Sequence, residues 1–124
     1  MMRLAAGIAL IAAPAVAQEL TAPSGLKLNL YDVIIEDDAA LARFRFEVPE
    51  IADNGLPFAD VADDLQALCN QTLLPGLQQS GWDEGQIVVQ LSAEKVDFGA
   101  TVPDITQYFQ PFSIDGDACI WEDF

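Results

Sequence analysis

The sequence predicts a single α+β domain: an antiparallel sheet of about four to five strands, with one main helix packed on one face. Three observations lead there. Apolar residues alternate with a period of two through 26–36, 41–48 and 86–92. From about Asp60 the period lengthens to that of a helix. The chain holds two cysteines, Cys69 in the helical stretch and Cys119 near the end, placed so that a bond would join helix to sheet.

In LKLNLYDVIIE (26–36), Leu26, Leu28 and Leu30 alternate first, and Tyr31, Val33 and Ile35 then take the opposite phase. That change predicts a bulge near Asp32, or a strand end buried on both faces. DDAA (37–40) is a turn. LARFRFEV (41–48) then sets Ala42, Phe44, Phe46 and Val48 against Arg43, Arg45 and Glu47, which completes an antiparallel hairpin. Pro49, Asn54-Gly55 and Pro57 make 49–58 a loop.

Val61, Leu65, Leu68, Cys69, Thr72 and Leu73 fall on one helical face, and the acids Asp60, Asp63 and Asp64 suit the positive end of the helix dipole. Pro75-Gly76 should end or kink this helix, with a further turn stopping at Ser80-Gly81. QIVVQLS (86–92) is a strand, and AEKVDFG (93–99) reads as a short returning strand built on Val96 and Phe98. TQYFQPFSI (106–114) carries Pro111, which consigns it to an edge or a bulge, and ACIWEDF returns as the last strand.

The first residues are a separate matter. MMRLAAGIALIAAPAVA has a positive start at Arg3, a short apolar run and an Ala15-Val16-Ala17 site of small side chains, the pattern of a cleavable signal peptide over 1–17. The apolar run is shorter than the roughly 20 residues that span a bilayer. Residues 18–25 (QELTAPSG) read as a flexible lead-in, and 26–124 as the domain. The expected location is periplasmic or secreted, with no membrane contact in the mature form. Two and only two cysteines in such a compartment favour a Cys69–Cys119 disulfide over two free thiols.

Charge and missing residues narrow the function. Beyond residue 17 four basic residues face 20 acidic ones, a net of −16, which repels nucleic-acid backbones. Histidine is absent, so Ser-His-Asp and Cys-His catalysis and His-ligated metals have no basis. Ser92-Ala93-Glu94-Lys95 fits the S-x-x-K pattern, but it bridges two expected strands and lacks the companion motifs. No cofactor is expected. Asp115 and Asp117 are weak calcium candidates, because Asp-Gly-Asp is also ordinary turn chemistry. Arg43 and Arg45 point the same way on a strand and could hold an anion, or pair with Asp32, Glu36 or Glu47. Gln107, Phe109 and Pro111 form a candidate interaction edge.

The stretches LYDVIIE…LARFRFEVPEI, FADVADDLQALC, GWDEGQIVVQLS and VDFGATVPDITQYFQPFSIDGDACIWEDF resemble a family of small, exported, uncharacterised alphaproteobacterial proteins. The resemblance implies no activity. The expectation is a non-catalytic accessory or protein-interaction module, whose partner would be another periplasmic protein. A binder of a small anion or of calcium is the alternative, and a hydrolase using carboxylates alone is the third reading.

Overall fold

The computed structural model describes residues 18–123, so the signal peptide expected at 1–17 lies outside the described residues. Six strands, β1 (Gln18–Thr21), β2 (Lys27–Glu36), β3 (Leu41–Glu47), β4 (Gln86–Ser92), β5 (Gln107–Asp115) and β6 (Ala118–Trp121), lie side by side in chain order. Neighbours are antiparallel except β3 and β4, which run parallel from Leu41↔Gln86 to Glu47↔Ser92. The sheet is therefore mixed and six-stranded, not antiparallel with four to five strands.

Two local causes account for the difference. Residues 18–25, expected to be a flexible lead-in, instead form β1 and a tight turn. The Ala22 N–H bonds the Leu26 carbonyl at 2.8 Å, and Gly25 takes φ +97°, a conformation that favours glycine. Ser24 ties this turn to the helix, its hydroxyl donating to the buried carboxylate of Asp64 at 2.5 Å. The parallel pair follows from the connection: β3 reaches β4 only through a helix, and a long helical crossover returns the chain in the same direction. Alternation carries no sign of strand direction, so the sequence could not report it.

The hairpin β2–β3 forms as expected, and its register slips between Leu30 and Asp32. Tyr31 is the extra residue. The slip lets Leu28 and Leu30 share the helix-facing side with Val33, which lies opposite Phe44. The returning strand expected at 93–99 does not form; that segment is irregular.

Helix α1 (Phe58–Leu68) continues through a wide π turn (Cys69–Leu73) into α2 (Leu74–Gln79). Pro75 explains the widening. It has no N–H to offer, and its ring crowds the carbonyl one turn back; the ladder relaxes to a longer bond from the Leu74 N–H to the Cys69 carbonyl. Val61, Leu65 and Leu68 of α1 join Leu28, Phe46, Val89, Leu91 and Phe112 of the sheet in one buried cluster. Each such side chain contributes on the order of 2 kcal/mol by leaving water.

Cys69 and Cys119 are bonded, their Cα atoms 6.1 Å apart, so the helix is joined to the last strand. The bond spans 50 residues. Replacing both cysteines with serine is expected to cost about 4 kcal/mol, the loop-closure entropy of such a span. Urea unfolding checks it; an unchanged midpoint would contradict the brace.

Candidate functional site

The sheet face opposite the helix is polar at its centre. Arg45 points there from β3 and is 2% exposed. Each of its three nitrogens donates: Nη1 to Asp32 Oδ2 at 2.7 Å, Nη2 to the Val96 carbonyl at 2.8 Å, and Nε to Gln90 Oε1 at 3.1 Å. Its guanidinium also lies 5.2 Å from the Tyr31 ring centroid and 5.4 Å from that of Phe98. A buried charge is tolerable when it is paired and hydrogen-bonded, and here every guanidinium nitrogen has a partner. Val96 and Phe98 thus supply a carbonyl and a ring to Arg45, which is why the segment around them crosses the face as a loop. Gln90 passes the network on, its Nε2 donating to Gln107 Oε1 at 3.0 Å.

Gln107 opens β5, and β5 is only half covered. β6 pairs with Phe112–Asp115, and the Glu122 N–H adds one bond to the Pro111 carbonyl at 3.2 Å. Ala93 N–H bonds the Thr106 carbonyl and Ile114 N–H bonds the Gly85 carbonyl, so the even-numbered residues between them turn their backbone groups toward β4. The odd-numbered ones turn outward. Among the described residues no strand pairs with Gln107 and Phe109 on that side. Phe109 is 42% exposed.

The outer side of β6 is closed by contrast. Cys119 N–H donates to Asn70 Oδ1 at 2.7 Å, and the Cys119 carbonyl accepts from Gln66 Nε2 at 2.8 Å. Helix side chains thus occupy the outward backbone groups of Cys119, which a further strand would use.

Phe109 lines two recesses. On the helix side, a recess of about 380 Å³ is walled by Phe58, Tyr108 and Trp121, with Glu122 and Asp123 at its lining. Phe58 meets Tyr108 edge-on at 5.6 Å and Trp121 at 6.0 Å, and the Tyr108 hydroxyl donates to the Leu56 carbonyl at 2.9 Å. The aromatic walls are therefore held in place. On the polar face, a recess of about 220 Å³ lies between Arg43, Gln90, Phe98 and Phe109. Phe98 is 55% exposed there.

The residues singled out in the sequence fall into three places. Arg43 and Arg45 do share a face, each bound by an acid of β2; Arg43 Nε meets Glu36 Oε2 at 2.7 Å. Gln107 and Phe109 line the same small recess as the two arginines, so the two sets of candidates meet there. Pro111 lies beside them with its carbonyl already bonded. Asp115 and Asp117 flank the turn at the far end of β5, where Asp117 Oδ1 accepts from Gln78 Nε2 at 3.1 Å. Among the described residues no group of three or more ligating side chains gathers around a metal-sized space. Phe58, Trp121, Glu122 and Asp123 carry no motif in the sequence, and only their placement beside an uncovered strand end sets them apart.

Fold and site together define a disulfide-braced α+β domain whose accessible features are a half-open strand and an aromatic recess. Within that class the chain belongs to the family of unknown function DUF6497, whose model matches residues 6–124. No curated protein and no solved structure matches it.

The two arginines should respond differently to truncation. Arg45→Ala removes a buried, paired cation and leaves its partners without it, and is expected to destabilise by about 3 kcal/mol. Arg43→Ala breaks a partly exposed pair and should cost less than about 1 kcal/mol. Urea denaturation of the two variants side by side checks the ranking.

Proposed function

We propose that this domain is a non-catalytic module of the cell envelope that binds another protein by accepting an extended segment along the free half of β5. The observation that carries the reading is the outward-facing backbone at Gln107 and Phe109, next to a β6 whose Cys119 has its outward N–H and carbonyl occupied by Asn70 and Gln66. An added strand gains main-chain hydrogen bonds, and pockets beside the edge receive its alternate side chains. Two recesses lie beside this edge, one toward each face. Exposed Phe98 and Phe109 supply the kind of aromatic surface enriched where proteins meet.

The reading includes export. The disulfide suits an oxidising compartment. Cleavage after Ala17 would leave β1 whole from Gln18 on. Among the described residues no helix is long and apolar enough to cross a membrane.

A photo-crosslinking benzoylphenylalanine in place of Phe109 tests the binding in living cells, with the same residue in place of Asp38, at the other end of the sheet, as control. A discrete adduct is expected from position 109 alone. Adducts that do not differ between the two positions would remove the reading. The intact mass of the recovered protein should correspond to a chain beginning at Gln18, and a chain retaining Arg3 would overturn the export half.

A further inference from the structure

The helix-side recess adds chemistry that an edge strand alone does not require. Three aromatic rings, Phe58, Tyr108 and Trp121, wall a space of about 380 Å³, and the carboxylate-bearing residues Glu122 and Asp123 complete it. Ring faces carry negative potential and attract cations; with a carboxylate nearby the preference for a positive group is reinforced. The surroundings point the same way. The chain carries 20 acids against five basic residues, and among the described residues no lysine or arginine lines this recess. Ser113 donates its hydroxyl to Glu122 Oε2 at 2.6 Å, a neutral partner that holds the carboxylate beside the β5 edge.

We infer that the segment accepted on β5 is basic, and that it places a lysine or arginine side chain into the recess between Phe58, Tyr108 and Trp121, where Glu122 and Asp123 neutralise it. This rests on the edge-pairing reading and adds the identity of the inserted group. Side chains of a strand alternate between faces, so one residue of the partner enters the recess while its two neighbours turn toward Phe109 and the polar face. The occupant is thus an extended segment with a cation flanked by apolar residues. A second copy of this acidic chain fits poorly, because its own carboxylates would approach Glu122 and Asp123.

Titration of the oxidised protein with acetyl-Thr-Val-Lys-Val-Thr-amide, followed by backbone-amide and Trp121 indole NMR shifts, tests the inference. Two further peptides carry norleucine or glutamate in place of the lysine. The lysine peptide should bind about tenfold more tightly than the norleucine one, and the glutamate peptide more weakly still. Glu122→Gln with Asp123→Asn should erase the lysine advantage. The remote pair Asp37→Asn with Asp38→Asn, equal in charge change, should leave it within about twofold.

Equal binding of the lysine and norleucine peptides, with the Phe109 amide shifted by both, would overturn the cation inference and leave edge pairing standing. The same loss from both double variants would assign the effect to the general acidity of the protein and also overturn the inference. If no peptide shifts the Phe109 amide, edge pairing falls and the inference with it.

Discussion

The bond between Cys69 and Cys119 joins the widest turn of the helix to the middle of the last strand, and the surface is organised around that junction. Gln66 and Asn70, three residues before and one residue after Cys69, bind the carbonyl and N–H of Cys119. One backbone position is thereby held by a covalent link and two hydrogen bonds. Strand edges invite pairing, and proteins must block or use them. Here the blocked edge is the one the helix reaches. Because β6 is only four residues long, the blocking ends there, and Gln107–Phe109 of β5 is left outside it. The same junction sets Trp121 against Phe112 and Phe58, so the aromatic recess is a consequence of it too.

The π turn is part of this arrangement. A regular helix advances its side chains by a fixed angle, whereas a widened turn shifts that advance. Pro75 forces the widening from downstream, and the wide turn begins at Cys69 itself. On the opposite face Arg45 plays a comparable part for β5. Its bond to Gln90, and that of Gln90 to Gln107, fixes the first residue of the uncovered stretch from behind. The free end of β5 is therefore held from both faces, by Gln107 on one and by Tyr108 bonding Leu56 on the other. An edge held straight in this way loses little further freedom when a partner strand pairs with it.

Local features were legible in the sequence and relational ones were not. The phase change at Asp32 marks the bulge because burial enforces alternation, and a slip of one residue shows as a reversal of phase. The helical period from Asp60 marks α1, and cysteine count and compartment mark the disulfide. The parallel alignment of β3 with β4 left no trace, since both strands alternate in the same way whichever direction they run. Ala22-Pro23-Ser24-Gly25 suggested looseness by composition, yet the same residues form a tight turn once Asp64 is brought beside Ser24 by the helix. Val96 and Phe98 mimic a strand because they are spaced by two; what they serve is the burial of Arg45, 51 residues before Val96 in the chain. Arg43 and Arg45 read alike in the sequence, each with an acid of the hairpin within reach, and only the crossing loop separates a buried charge from an exposed one.

An uncovered strand end poses a problem of self-pairing that this chain meets with charge. Pro111 lacks an N–H, which shortens the available run at one side, but it does not prevent two copies from meeting at Phe109. With 20 acids and five basic residues, a second copy approaches against repulsion, although salt screens that force over about 8 Å at physiological strength. What decides the encounter is thus the charge within a few ångströms of the edge. Glu122 and Asp123 lie there, and a like-charged strand would have to bring its own acids beside them. A basic segment meets the reverse condition at the same distance. The acids that keep the edge from pairing with itself are therefore the ones that would select its partner, so solubility and specificity draw on the same residues.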